Sequence, residues 1–206
     1  MDPGHSADKH NLFVSNLTRH GSQAQYRCNE YNRVKSPSTN SIGHDVMTEE
    51  PPEFIRSNEL LSRTDSRLLI VDVQEKLLPL IPVAERLIEN CRRLIEGAKI
   101  LGVPVDATEQ YPTGLGKTTP VLADLLGEIP EKLRFSSAEV LNWGSASVQE
   151  NDRDKIVVAG IECHVCVQQT VLDLMAYGFR VFIPADAVAS RHKFDWEIAL
   201  RRMSDS

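Results

Sequence analysis

Long apolar runs are missing from this sequence. No stretch approaches the about 18 consecutive apolar residues that a membrane-spanning helix needs. Cationic excess is missing too. Lys and Arg number 23 against 29 Asp and Glu, a formal net charge of -6, so there is no electrostatic footprint for nucleic acid or an anionic membrane. Cysteine is scarce, and Cys28, Cys91, Cys163 and Cys166 are too few and too unevenly spaced for a secreted disulfide framework. The N-terminus lacks a basic segment followed by the apolar core of about 7–15 residues typical of signal peptides. Leu12-Phe13-Val14 is the best it offers. These absences lead to the expectation of a soluble cytoplasmic protein that keeps its thiols reduced. What remains is 206 residues, 41% hydrophobic and 25% charged, sufficient for one domain plus a tail.

The two pieces differ in composition. Residues 1–60 contain twelve of the Val, Ile, Leu, Met and Phe class, separated by polar runs such as Ser36-Pro37-Ser38-Thr39-Asn40-Ser41. No helical or strand period persists there. So little apolar surface cannot offset the entropy of ordering the segment, and residues 1–60 read as a mostly disordered tail. His5, His10, His20 and His44 fall in this tail at spacings that match no metal-ligand pattern.

Residues 61–206 read as the folded domain. Arg67 to Val73 is a nearly continuous apolar run, as expected of a strand buried on both faces of a parallel sheet. Ala84 to Leu101 places Leu87, Ile88, Cys91, Leu94, Ile95, Ala98 and Leu101 on one helical face, with Gly102 as its stop. A strand restarts at Val103-Pro104-Val105, Thr119 to Leu126 predicts a short helix, and Glu131 to Phe135 a weak strand. Lys155 to Ile161 is the clearest buried strand, followed by a helix ending near Gly178, a strand over Phe179 to Pro184 and a final helix over Phe194 to Met203. Strands alternating with helices predict an α/β fold, a three-layer α-β-α arrangement around a mostly parallel, doubly wound sheet. In such sheets ligands bind beyond the carboxyl ends of the strands.

Three polar residues stand at or near those ends. Asp72 interrupts an apolar run, where a carboxylate is costly unless hydrogen-bonded; capping the next turn is its plainest role. Lys132, judged alone, reads as a solvated surface lysine. Cys166 falls at the start of the helix after Lys155–Ile161, where the helix dipole is expected to lower the thiol pKa. A small buried apolar residue is the plainer reading of it. Cys163 and Cys166 also form a CxxC, but zinc would need a second ligand pair that Cys28 and Cys91 do not supply.

These segments resemble the isochorismatase-like cysteine hydrolase family, in the branch labelled isochorismatase domain-containing. Leu69-Ile70-Val71-Asp72-Val73-Gln74, Thr108-Glu109-Gln110-Tyr111-Pro112-Thr113-Gly114-Leu115-Gly116, Glu131-Lys132-Leu133-Arg134-Phe135-Ser136 and Val158-Ala159-Gly160-Ile161-Glu162-Cys163-His164-Val165-Cys166-Val167-Gln168-Gln169-Thr170 carry the match. The resemblance implies a catalytic triad of Asp72, Lys132 and Cys166. It also implies a non-proline cis peptide between Ile161 and Glu162, with the N–H groups of Glu162 and Cys166 as oxyanion hole, and Gln74, Tyr111 and Phe135 as substrate-binding residues. Lys132 is expected to act by charge rather than packing. The implied partners are a small-molecule substrate and further copies of the chain, a homo-oligomer. No metal and no cofactor is expected, because the Glu109–Gly116 loop lacks the histidines that the pyrazinamidase branch uses. Cys163 stands where the family often has threonine, and Asp106, unpaired, would destabilise its strand. Relative to the family, the C-terminal strand and helix are missing, which is expected to leave a sheet edge exposed.

The implied chemistry is cleavage of a small amide or related C–N bond through an acyl-thioester. Two other readings remain open from the residues: vinyl-ether hydrolysis as in isochorismatase proper, and a non-catalytic scaffold with a redox-sensitive Cys163–Cys166 pair.

Overall fold

The computed structural model describes residues 14–17, 56–149 and 153–206. By their contacts, residues 1–19 and 61–206 form one unit and residues 20–60 another. Of the second unit the described part is a short turn, in which the Leu60 N–H donates to the Ser57 carbonyl.

The first unit is built on a seven-stranded sheet. Its strands are β1 (Val14–Leu17), β2 (Ser66–Val71), β3 (Val105–Gln110), β4 (Glu131–Lys132), β5 (Lys155–Ile161), β6 (Arg180–Pro184) and β7 (Val188–Ala189). The spatial order is β1-β6-β5-β2-β3-β4, with β7 paired to β5. Every pairing is parallel except that of β1 with β6. After β2 the chain runs outward through β3 and β4, then returns to the other side of β2 with β5. The switch point therefore lies between the carboxyl ends of β2 and β5, where the geometry of open α/β sheets opens a crevice.

Both faces of the sheet are covered. Along β2, Leu69 and Val71 point to one apolar cluster, and Leu68 and Ile70 to the other. α1 (Ala84–Leu101) buries Leu87, Cys91, Ile95 and Ala98, steps of four, four and three that keep one stripe against the sheet. It ends at Gly102, whose φ of 69° is the left-handed conformation a C-cap favours. The other face receives α5 (Gln168–Ala176), through Val171, Leu174 and Met175, and α6 (Lys193–Ser204), through Ala199 and Met203. This is the expected three-layer α/β arrangement. Among the described residues no helix is long and apolar enough to cross a membrane.

Several expectations need correcting. Val14–Leu17, within the tail read as mostly disordered, supplies a strand in the register Val14 to Pro184 through Leu17 to Val181, so the edge of β6 is covered. Four residues bonding through their main chain to an edge need no side-chain period, which is why the sequence did not signal it. Residues 1–13 and 18–55 of the expected tail, with all four of its histidines, lie outside the described residues. The short helix over 119–126 is confined to α3 (Pro120–Ala123), and a one-turn α2 (Pro112–Leu115) and α4 (Ala138–Leu141) were not anticipated. Asp106 is not unpaired: its Oδ2 lies 3.7 Å from Arg67 Nη1, and Arg67 also stacks 5.2 Å above the Trp143 ring.

Candidate active site

Asp72 follows the last residue of β2 with φ of 52°, a left-handed conformation that aspartate adopts more readily than most residues. The turn ends the strand at Val71 rather than Val73 and leaves the carboxylate with no solvent exposure. Its Oδ1 accepts from Thr108 Oγ1 at 2.9 Å and its Oδ2 from Lys132 Nζ at 2.7 Å.

Lys132 closes β4 opposite Gln110. It is no surface lysine: its side chain has no exposure, and Nζ also reaches Gln110 Oε1 at 2.9 Å, the Phe135 carbonyl at 2.8 Å and the Arg134 carbonyl at 3.3 Å. Those two carbonyls turn toward the ammonium instead of continuing a ladder, which shortens the strand expected over 131–135. A buried ammonium needs such a cage, because its desolvation is repaid only by full hydrogen bonding.

Cys166 lies in a π-helical turn, Cys163–Val167, between β5 and α5, and is buried. Its thiol faces Asp72 and Lys132, the two charged groups that act on it. Burial first, then the Asp72 carboxylate, pushes this thiol above its ordinary value, with Lys132 opposing. The direction is opposite to the lowering expected at a helix start, because loss of water and a neighbouring anion both disfavour the thiolate. Burial also raises the Asp72 carboxyl, against the pull of Lys132 and of the hydrogen bonds from Lys132, Cys166 and Thr108. Cys163, also buried, is pushed up to about 12 by burial.

The peptide bond between Ile161 and Glu162 is cis. Glu162 turns its side chain to Arg191, whose Nη2 lies 2.6 Å from Oε1 and whose backbone N–H donates to Oε2 at 3.0 Å. Gly160 makes the approach of β5 to β2 possible. Its φ is 123°, and a Cβ there would run into the Val71 backbone immediately before Asp72.

The structure thus brings Asp72, Lys132 and Cys166 together. Gln74 is different. It is fully buried, and its amide is occupied by the Gln110 N–H, the Gln110 carbonyl and the Gly116 carbonyl, so it clamps the end of β3 rather than facing a substrate. Tyr111 and Phe135 are about half exposed, on the segments flanking Lys132. Gln110, overlooked in the sequence, braces Lys132 through Oε1 and the Leu133 carbonyl through Nε2. Its place at the end of β3 was the available signal. A cavity of about 410 Å3 beside the starts of α1 and α6, lined by Arg86, Ser190, Lys193 and Trp196 among others, includes none of the three central residues. Among the described residues no group of three or more His, Cys, Asp or Glu side chains is placed to hold a metal ion.

The three-layer α/β arrangement is the isochorismatase-like fold. The isochorismatase domain family model matches residues 66–206, and the chain belongs to that family. It is 40% identical over 146 residues to isochorismatase domain-containing protein 1 of Danio rerio, covering 70% of this chain and 51% of that protein. To isochorismatase domain-containing protein 2 of Danio rerio it is 36% identical over 151 residues, covering 71% of this chain and 74% of the other. The chain therefore spans about half the length of the first relative. The solved structure of MAR1 ribonuclease from Caenorhabditis elegans superposes with a TM-score of 0.63 at 37% identity, covering 70% of this chain and 75% of that one.

Proposed function

We propose that the chain is a cysteine hydrolase that cleaves a small amide or related C–N bond through a covalent acyl-thioester on Cys166. The supporting observation is the fully buried contact of Lys132 Nζ with Asp72 Oδ2 at 2.7 Å, with the buried Cys166 thiol facing the same carboxylate. A thiol held above its ordinary pKa must lose its proton as it attacks, and Asp72 is the base within reach.

The proton passes from Sγ to Asp72 while Sγ bonds to the substrate carbonyl carbon. The carbonyl electron pair moves onto oxygen, which the N–H groups of Glu162 and Cys166 receive, each such donor contributing about 3 kcal/mol in comparable sites. Collapse breaks the C–N bond, and Asp72 returns its proton to the leaving amine. Water then attacks the thioester, Asp72 takes the water proton, and the proton goes back to sulfur as the acid departs. Throughout, Lys132 offsets the negative charge that moves between Asp72 and Cys166.

The test is intact-mass analysis of the full chain after incubation with a panel of small amides and one short RNA, the RNA included because the nematode relative is named a ribonuclease. The expected result is a mass increase equal to an acyl group, located on Cys166 and absent from Cys166→Ala. RNA cleavage that persists in Cys166→Ala, with no acyl adduct from any amide on folded protein, overturns the proposal.

A further inference from the structure

We infer that Thr108, Ser137 and Thr170 are positioning residues, a buried hydroxyl chain that fixes the Asp72 carboxylate and the Cys166 backbone in one frame. The inference rests on the cysteine-hydrolase reading above. Thr108 Oγ1 lies 2.9 Å from Asp72 Oδ1 and 2.9 Å from Ser137 Oγ. The Ser137 N–H donates to Thr170 Oγ1 at 2.9 Å, and Thr170 Oγ1 donates to the Cys166 carbonyl at 2.7 Å. All three residues are at most 1% exposed. They come from β3, from the residue preceding α4 and from α5, so three separate elements converge.

The direction of each bond follows from what each group can do. An ionised carboxylate only accepts, so Thr108 gives its hydrogen to Asp72 and must accept the hydrogen of Ser137. Thr170 gives its hydrogen to the Cys166 carbonyl, the ordinary i−4 bond of a helical threonine, and so must accept from the Ser137 N–H. The polarity diverges at Ser137, which gives its hydroxyl hydrogen toward the proposed base through Thr108 and its N–H toward the proposed nucleophile's backbone through Thr170.

Its use lies in a torsion. The χ2 of aspartate is broad, so a carboxylate anchored at one oxygen can rotate. Lys132 anchors Oδ2 and Thr108 anchors Oδ1, which fixes the plane that the Cys166 thiol addresses. Lys132 and Cys166 are the titratable groups that face Asp72, and Thr108 is its neutral donor.

The experiment measures, on the full chain, the rate of iodoacetamide modification of the Cys166 peptide against pH, with a thermal melt of each variant. The wild-type rate falls below an acid-side inflection that belongs to the Asp72–Cys166 pair. Thr108→Val removes a charge-assisted hydrogen bond from the ionised form, so the inflection moves up by about one pH unit. Thr108→Ser restores it, and Ser137→Ala moves it in the same direction by less. If Thr108→Val does not fold, Ser137→Ala decides. An unmoved inflection in the folded Thr108 and Ser137 variants, while Asp72→Asn abolishes it, overturns this inference and leaves the hydrolase reading standing. A profile unchanged in Asp72→Asn as well removes that reading itself.

Discussion

Lys132 Nζ sits 2.7 Å from Asp72 Oδ2, and neither side chain has any exposure to solvent. The pair joins residues 60 apart in sequence, across the ends of β4 and β2. Its energetics differ from those of a surface ion pair. Removing one partner of a buried pair strands the other, at a cost of about 3–5 kcal/mol.

Lys132→Met therefore does more than a near-isosteric swap suggests. Near neutral pH the variant should lose about 3–5 kcal/mol of stability. The folded-state pKa of Asp72 is already raised, chiefly by burial, and loss of Lys132 raises it further. A raised carboxyl is tolerated in its neutral form, so the deficit should shrink as pH falls through the folded value and be full above it. Denaturant midpoints of wild type and variant across pH check this. A small, pH-independent difference would show that the pair is not coupled as described.

Glu162 carries the opposite sign. Burial works against its carboxylate, but hydrogen bonds and charge from Arg191 hold it below its ordinary value of 4.5. A lowered carboxyl stabilises above the unfolded value, and that stability is lost as pH falls through the folded one. Arg191 is partly exposed, so water screens the pair, and Arg191→Leu should cost about 1 kcal/mol near neutral pH. The cost should disappear in acid below the wild-type Glu162 pKa. Paired thermal melts at neutral and acid pH measure both, and a loss that persists in acid contradicts the account.

Gly160→Ala is expected to be severe. The residue has φ of 123°, and the new methyl meets the Val71 backbone, which cannot move without moving Asp72. Strain and overpacking together should cost about 3 kcal/mol. A variant with unchanged denaturant midpoint would show that β5 and β2 can separate at this point.

The β1 strand makes a separate claim about residues outside the domain expected from sequence. Deleting residues 1–19 should speed hydrogen exchange at those backbone amides of Val181, Phe182 and Ile183 that face β1 rather than β5. Exchange there that is indifferent to the deletion contradicts the pairing.

The limits of α1 and β5 were legible to the residue, because a long amphipathic stripe and a wholly apolar run each have one reading. β3 was legible at its start alone. Thr108, Glu109 and Gln110 are polar yet buried, since they bond to Asp72, Thr118 and Lys132, and hydropathy cannot foresee burial that hydrogen bonds make possible. Strand ends and family wording singled out Asp72, Lys132 and Cys166 as candidates, but nothing in the sequence signalled the full burial of Lys132. Thr108, Ser137 and Thr170 gave no signal. Hydroxyl residues are common, and only contacts spanning 29 to 36 residues connect these three to each other and to Asp72.

The central claim is that Asp72 and Lys132 activate Cys166, and its most direct test is the modification rate of each cysteine by iodoacetamide, resolved by peptide mapping. Cys91 is fully buried and pushed up to about 12 by burial and then by the Asp186 carboxylate, and no cation acts on it as Lys132 acts on Cys166 among the described residues. The account predicts that Cys166 reacts much faster than Cys91 near neutral pH, and that Asp72→Asn and Lys132→Met each slow it on protein that melts cooperatively. Equal rates at Cys166 and Cys91, or a Cys166 rate unchanged in both variants, would contradict it.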